Sequence, residues 1–332
     1  MKREQRVSSL NAVKSVFLSG LSYTQKDLAR TTGFSIVSVS KTVDELCKSG
    51  FIRRQNSLDS TGGRKPIVYV IDETKQLIAT VMIREIKTVM TMELSVVTLQ
   101  QAMLVNRFST DLDVESIRRE LKGLCREYPA IKGVVIGIPG VEIQDQLEIM
   151  DITGLLQIRL RPILEEDLER PVRIINDVNA ALVGFGTRHT SSLISALYFP
   201  EGYYPGSGLL VNHTLFLGRH GISGEIHYLF PWIHTTMSAA DFKQNLAYAL
   251  SIMISMYNPE VIVVYASEGL LQRERRLRFI REVKASLSDV FKAVELPDIR
   301  VEESFSQDFK SGLFQSGLTL IRDELNGVER SN

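Results

Sequence analysis

The most constraining feature of the sequence is a series of short elements in its first 72 residues. Apolar residues recur at helical spacing over residues 5–19 and predict a first helix. A second helix is predicted for QKDLARTT, with Thr24 as its N-cap and Asp27 closing a capping box. A third helix is predicted from its N-cap Ser35 to about Ser49. Three short helices in this order are typical of a helix-turn-helix domain.

Two strand-like stretches follow the helices and predict a wing. They flank a turn over residues 56–63, where Gly62 and Gly63 allow the backbone to reverse tightly. Arg64 and Lys65 follow the turn and are placed to meet phosphates or a minor groove. Residues 1–72 therefore predict a winged helix-turn-helix that binds DNA; the alternative is a winged helix that docks another protein.

The third helix has two unlike faces. Its apolar stripe, which is expected to pack on the first two helices, consists of Ile36, Val39, Val43 and Leu46. The opposite side offers short polar and basic groups near the helix N-terminus, which suits an element that enters the major groove. The side chains predicted to face DNA are Ser35, Ser38, Lys41 and Thr42.

Charge is distributed unevenly along the chain, although its net charge is zero. Residues 1–70 hold 12 Lys/Arg against 5 Asp/Glu, and the remainder holds 27 against 34. A basic segment on an acidic body favours a polyanionic partner for one end of the molecule. The charge alone is also compatible with a solvated basic face.

The rest of the chain alternates strand and helix patterns, as α/β layers do, and residues 77–105 predict a meander. No apolar run approaches the roughly 20 residues of a membrane helix, and the N-terminus lacks a signal-peptide pattern. A cytoplasmic protein without membrane contact is therefore expected. The two cysteines, Cys47 and Cys125, are too few for a disulfide framework or a structural zinc site and are expected to be reduced core thiols.

Several motifs, in order and spacing, resemble the ROK family of repressors, open reading frames and sugar kinases. They are STGGRKPIVYVID, which precedes the body directly, and then GVVIGIPGVEI (133–143), PVRIINDVNAALVGFG (171–186), GRHGISGEIHYLF (218–230) and, more weakly, NPEVIVVYASEGL (258–270). The resemblance covers the whole chain. It implies an α/β body of two actin-like, ribonuclease H-like lobes with a sugar site between them.

The resemblance also implies domain boundaries. The winged helix-turn-helix would occupy residues 1–72 and the degenerate ROK domain residues 73–332. Lobe one would run over about 73–190 and include the C-terminal helix, and lobe two over about 191–310.

A kinase of this family needs three glycine-bearing loops near its nucleotide, and all three are altered here. The first is MIREI (82–86), which lacks the family's acid and glycines. The second is GYYPGSG (202–208), where Tyr203 and Tyr204 replace a threonine and a glycine. The third is Tyr265-Ala266-Ser267 in place of a Gly-Gly turn. Because backbone N–H groups approach phosphates closely only where side chains are absent, neither ATP binding nor a cofactor is expected.

The sugar site that the resemblance implies is partly retained. Asp177 stands where the kinases have their general base, although an Asn-Asp turn that caps the next helix explains IIND equally well. The zinc-holding cysteines of the family are absent, so no metal is expected, and His227 matches the family histidine only with a one-residue shift. The predicted ligand-binding residues are Gly140, Asn176, Asp177, Glu225 and His227.

The sequence therefore predicts a transcriptional regulator without kinase activity. A homodimer, or a dimer of dimers, would bind double-stranded DNA at an inverted-repeat operator, and a sugar or sugar derivative would act as effector. Two alternatives stay open. In one, the body only dimerises or docks a partner and binds no ligand; in the other, the chain is a sugar kinase.

Overall fold

The computed structural model describes residues 2–55, 66–150, 152–229, 238–267, 270–271 and 276–326. Its first elements are the three predicted helices: α1 (Lys2–Phe17), α2 (Gln25–Thr32) and α3 (Ile36–Lys48). The capping box predicted for α2 is present, since the Asp27 backbone N–H donates to Thr24 Oγ1 and the Thr24 N–H donates to Asp27 Oδ2. Ser35 caps α3 by accepting from the Ser38 N–H at 3.2 Å.

A three-stranded sheet accompanies these helices, ordered β1-β3-β2. Its strands are β1 (Tyr23–Thr24), β2 (Ile52–Gln55) and β3 (Val68–Ile71). Strands β2 and β3 pair antiparallel, from Ile52 opposite Ile71 to Gln55 opposite Val68. The helices and this sheet form a winged helix-turn-helix. The predicted turn over 56–63, with Arg64 and Lys65, lies outside the described residues.

The inner face of α3 differs from the prediction at its first residue. Val39, Val43 and Leu46 are buried as expected, but Ile36 is 52% exposed. Ile36 is the first residue of α3, ahead of the part of the helix that is buried. The apolar stripe of α3 therefore begins at Val39.

The first α/β sheet contains the predicted meander. Its order is β10-β7-β4-β5-β6, and β4 pairs antiparallel with β5 and β5 with β6. The strands are β4 (Leu77–Ile86), β5 (Val89–Thr98), β6 (Met103–Ser109), β7 (Ile131–Ile138) and β10 (Val172–Asn176). The helices in the same stretch of chain are α4 (Val114–Glu127) and α5 (Leu160–Leu168), and β8 (Gly140–Ile143) and β9 (Gln146–Met150) form a hairpin.

The second α/β sheet has the order β13-β12-β11-β14-β15. Strand β11 pairs antiparallel with β12 and parallel with β14. The elements of this stretch are α6 (Asp177–Gly186), β11 (Leu193–Phe199), β12 (Gly206–Val211), β13 (Thr214–Leu215), α7 (Ala239–Tyr257), β14 (Val261–Ala266), α8 (Arg276–Val290), β15 (Asp298–Glu302) and α9 (Phe305–Asn326). A core that includes Phe199, Phe242 and Leu250 joins this sheet to α7 and α8.

Residue contacts divide the chain into two units. The first comprises residues 1–136, 160–173 and 316–331, and the second comprises mainly residues 137–159 and 174–315. The winged helix-turn-helix thus groups with the first sheet. The boundaries expected at residues 72/73 and 190/191 stay predictions. None of the described helices is both long and apolar enough to cross a membrane.

The two cysteines are unbonded and half-buried rather than part of the core. Burial raises the pKa of both the Cys47 and the Cys125 thiol. Both thiols are therefore protonated at neutral pH and poorly nucleophilic.

Helices α6 and α9 approach each other at two glycines. A Cβ on Gly184 would lie 1.9 Å from the Asp308 carbonyl oxygen, and one on Gly312 would lie 1.7 Å from the Ala180 carbonyl oxygen. No side chain fits at either position, so both glycines set the distance between the helices.

We expect Gly312→Ala to lower the free energy of unfolding by about 1–3 kcal/mol or more, because the added methyl forces the helices apart. Gly123→Ala is the matched control, since Gly123 lies inside α4 with no atom within 4 Å of an added Cβ. There the change should raise stability by roughly 0.5–1 kcal/mol, as for an ordinary helix position. Urea unfolding measures the free energy of unfolding of both variants. Equal changes in the two would show that the close approach of α6 and α9 does not require glycine at position 312.

Candidate functional site

The outer face of α3 presents three of the four side chains predicted to face DNA. Ser35 and Lys41 are exposed, and Ser38 is half-buried. Gln25, at the start of α2, donates to Ser40 Oγ and to the Tyr69 hydroxyl, both at 3.4 Å, and so ties α3 to α2 and β3. The face is therefore held at a fixed orientation by contacts on its inner side.

Thr42 corrects the prediction, because its side chain does not lie on this face. It is 5% exposed, and its hydroxyl oxygen is 3.4 Å from Ser9 Oγ in α1. Its position follows from helical geometry, since Thr42 is three residues after Val39 and four before Leu46, on the buried stripe. We therefore remove Thr42 from the candidate DNA-facing residues.

Basic residues on β2 were missed by the sequence-based prediction. Arg53 and Arg54 are exposed, and Arg54 lies 4.0 Å from Asp44 on the outer face of α3. The signal in the sequence was the Arg-Arg pair at the start of a strand that leads into the wing. Together with Lys41, Arg54 adds positive charge to the side of the domain that carries the outer face of α3.

The second candidate site begins where β10 ends and α6 starts. Asn176 caps α6, since its Oδ1 accepts from the Asn179 N–H at 3.1 Å. Its Nδ2 donates to the Gly140 carbonyl oxygen at 3.3 Å and so connects α6 to β8. The capping role weighed from the sequence is thus present. An amide side chain has two donors and two acceptor lone pairs, so these two bonds use half of its capacity.

Asp177 is the first residue of α6, where the helix dipole favours a negative charge. Its side chain is half-buried, and its Oδ1 accepts from the Val178 N–H at 2.8 Å. A carboxylate in this position is a hydrogen-bond acceptor for ligand hydroxyls.

Two glycines of the altered second loop, Gly206 and Gly208, serve packing. A Cβ on Gly206 would lie 3.1 Å from a Val178 methyl, and one on Gly208 would lie 2.7 Å from Asn179 Oδ1. Both residues belong to β12, which therefore runs close beside the first turn of α6. This contact explains Gly206 and Gly208, two of the three glycines in the altered loop.

Glu225 lies beside β12, because the residue before it, Gly224, is hydrogen-bonded to that strand. The Gly224 carbonyl oxygen accepts from the Ser207 N–H at 2.8 Å and from Ser207 Oγ at 3.1 Å. Gly224 has φ +103°, and a Cβ there would lie 2.1 Å from the Ser207 carbonyl oxygen, so only glycine fits. This contact fixes the backbone that carries Glu225 beside β12.

His227 stands next to Glu225 in an aromatic setting. Its Nδ1 is 3.3 Å from Glu225 Oε2, and burial lowers the pKa of the ring. At neutral pH the ring is therefore uncharged; with its proton on Nδ1, toward the carboxylate, it would leave Nε2 as an acceptor. The rings of Tyr204 and Tyr228 lie 5.4 and 4.1 Å from it, centroid to centroid. Neither tyrosine was predicted as a site residue. The proximity of Tyr204 depends on tertiary contacts, whereas Tyr228 is the next residue in the chain.

The first and third altered loops, residues 82–86 and 265–267, contain no glycine. Residues 82–86 continue β4 to a tight turn at Lys87 and Thr88, both with positive φ. Tyr265 is buried, and its hydroxyl donates to Asp308 Oδ2 at 2.8 Å while Arg188 donates to Asp308 Oδ1 at 2.5 Å. The third altered loop thus holds a packed aromatic ring, whose hydroxyl is bonded to a buried carboxylate that also pairs with the exposed Arg188.

Metal ligation has no candidate among the described side chains, where no three His, Cys, Asp or Glu residues gather as a cluster. Asp151 and residues 230–237 lie outside the described part of the chain.

The comparisons with known proteins agree with this architecture. Residues 90–236 match the model of the ROK family. The matched range begins in β5 and includes β6, α6 and the Glu225 segment, whereas β4 precedes it.

Two curated relatives are xylose repressors. The protein of Caldicellulosiruptor bescii is 23% identical over 262 residues, which cover 71% of this chain and 60% of that protein. The protein of Bacillus subtilis is 24% identical over 282 residues, which cover 82% of this chain and 68% of that protein. The chain thus spans about 60% of the length of the first of these relatives.

Solved structures share the fold. A ROK family transcriptional regulator, described as a homologue of the E. coli Mlc protein, has a TM-score of 0.65 at 14% identity, covering 96% of this chain and 99% of that one. The ROK hexokinase of Thermus thermophilus has a TM-score of 0.56 at 14% identity, covering 72% and 97%. The fold of the body is therefore that of ROK proteins, which include regulators and kinases.

Stepwise removal of the Asn176 side chain should separate its two hydrogen bonds. Asn176→Ser keeps an oxygen that caps α6 and loses the donor to Gly140, whereas Asn176→Ala loses both. We expect a loss of about 1 kcal/mol for the serine variant and about 1 kcal/mol more for the alanine variant. Urea unfolding measures the difference; equal stabilities of the two variants would show that the cap contributes nothing.

Proposed function

We propose that this protein is a DNA-binding transcriptional repressor that responds to a sugar and has no kinase activity. The observation that carries the proposal is the capped and basic outer face of α3, in a winged helix-turn-helix joined to a ROK domain. The repressor relatives and the regulator fold support it. Such a protein acts in the cytoplasm, where its operator is accessible.

DNA binding is supported by both charge and shape. The basic N-terminal segment supplies attraction to phosphates, which is independent of sequence. Ser35, Ser38 and Lys41 lie at the end of α3 that enters a major groove in helix-turn-helix proteins. Arg53 and Arg54 on β2, and Arg64 and Lys65 beyond it, are proposed to contact the backbone or the minor groove.

A homodimer is part of the proposal, because two-fold symmetric proteins match inverted-repeat operators. Each protomer would place one α3 in a half-site. Half-sites one helical turn apart, about 34–36 Å, would suit two such helices.

The effector site is proposed at Asn176, Asp177, Glu225 and His227, with Gly140 holding Asn176 in place. Carboxylate oxygens, an amide and a neutral imidazole offer donors and acceptors for hydroxyl groups. The relatives' names make xylose the first sugar to test. A ligand that binds one conformation of the body better would shift its affinity for DNA.

The absence of kinase activity is proposed from the three altered loops. A β-hairpin turn, a strand packed on α6 and a buried tyrosine stand where backbone N–H groups would have to meet phosphates. Without a phosphoryl donor, Asp177 has no reaction to promote as a base. ATP-dependent phosphorylation of any sugar would contradict this part.

One alternative is favoured by a specific observation. Asn176 already spends two hydrogen bonds on capping α6 and holding β8. The retained polar residues would then stabilise the fold, and the body would only dimerise or dock a partner. This alternative expects no carbohydrate to bind.

For DNA binding, we expect the full chain to bind a duplex from its own upstream intergenic region in an anisotropy titration at fixed salt. Lys41→Ala should weaken binding, because one phosphate contact is lost. The magnitude of the slope of log affinity against log salt concentration should fall by about 1. Lys292→Ala, an exposed lysine of the second unit, is the control and should change neither quantity. Unchanged affinity and slope in Lys41→Ala would remove Lys41 from the interface.

For the effector, we expect xylose or a related sugar to raise the melting temperature of the full chain. Saturation at 100 times Kd stabilises the native state by about 2.7 kcal/mol. Glu225→Gln should abolish the shift, and Glu201→Gln, an exposed residue of the same unit, should retain it. A panel of sugars without any shift would support the ligand-independent alternative, and a shift that survives Glu225→Gln would place the sugar elsewhere.

A further inference from the structure

Two apolar side chains are exposed at the start of α3. Val37 is 67% exposed and Ile36 is 52% exposed. Single exposed apolar residues are common on protein surfaces, but here two β-branched residues are adjacent on a short helix. β-branched residues lower helix propensity slightly, and neither contributes to the buried stripe that begins at Val39. Folding alone therefore does not account for this pair.

The direction of Val37 follows from the buried residues of the same helix. Val39, Thr42, Val43 and Leu46 define the inner face, and Val37 lies about opposite to it at 100° per residue. Lys41 is one turn further along the same outer side and is exposed. An apolar group and a cation thus project side by side from the first two turns of α3.

The charges around this pair favour a nucleic acid as its occupant. The segment 1–70 carries a net charge of +7, and Lys41, Arg53 and Arg54 are all exposed. The one acidic residue on the outer face of α3, Asp44, lies in its third turn and is 4.0 Å from Arg54. The first two turns are therefore the part of α3 that can approach a polyanion.

We propose that Val37, with Ile36 beside it, reads the methyl groups of thymines in the operator half-site. This inference rests on the proposed function. In the major groove only thymine presents a methyl group, and apolar side chains distinguish it by contact. The half-site would therefore contain A·T pairs under the first turn of α3, and the phosphate contact of Lys41 would hold the helix in register.

The test replaces thymine by uracil, which removes the methyl and leaves every hydrogen-bonding group unchanged. Duplexes of 30 base pairs with a randomised centre are first selected for binding to the full chain. In the enriched duplex, each thymine of one half-site is then exchanged singly for deoxyuridine, and affinity is measured at fixed salt. We expect one or two positions at which wild type loses about fourfold in affinity, the effect of burying one methyl-sized group.

The variants assign the effect to residues. Val37→Ala should bind the thymine and uracil duplexes equally at the position that Val37 reads, and Ile36→Ala should do so at a neighbouring position. Val290→Ala is the matched control, because Val290 is 68% exposed on α8 in the second unit, and it should discriminate like wild type. Melting curves of both valine variants check that the fold is retained.

Three results would overturn the inference. If wild type binds the enriched duplex but ignores every uracil, thymine reading fails while DNA binding stands. If Val37→Ala still distinguishes the thymine duplex from the uracil duplex, Val37 does not read the thymine methyl. The same conclusion follows if the substitution changes only the oligomeric state of the protein. If no duplex is enriched at all, the proposed function itself fails, and this inference with it.

Discussion

Helix α6 is held closely by its neighbours, and the second unit depends on that packing. At its N-terminus Asn176 caps the helix and bonds to Gly140. Along one side Val178 and Asn179 meet Gly206 and Gly208 of β12. Further along, Ala180 and Gly184 meet α9 at distances that only glycine allows. Movement of α6 would therefore disturb β8, β12 and α9 together.

This packing gives the candidate ligand residues their common location. Asp177 begins the helix, and Glu225 is fixed to β12 through the bonds between Ser207 and Gly224. Gly206 and Gly208 of the altered second loop are here required by their contacts with the side chains of Val178 and Asn179. Under the proposed function, a body of this kind would keep the positions of its sugar-binding groups without the loops for phosphoryl transfer. That combination is what a sugar-responsive regulator needs.

Much of the fold was predictable from local signals. Thr24, Asp27 and Ser35 mark helix starts because capping is a short-range interaction, and the meander over 77–105 follows from strand patterns. Errors arose where tertiary packing decides. Ile36 belongs to the apolar pattern but is exposed at the start of α3, and Thr42 is polar but packs against Ser9. The contact of His227 with Tyr204 joins residues 23 apart, and no local pattern predicts it.

The central claim is that one molecule couples sugar binding to DNA binding. The most direct test measures the affinity of the full chain for its operator duplex with and without a saturating sugar, and the affinity for the sugar with and without the duplex. Linkage requires the two ratios to be equal, and typical coupling corresponds to about 5–150-fold. We expect the sugar to weaken operator binding by a factor in this range, and the operator duplex to weaken sugar binding by the same factor. A sugar that binds the body and leaves operator affinity unchanged would contradict it.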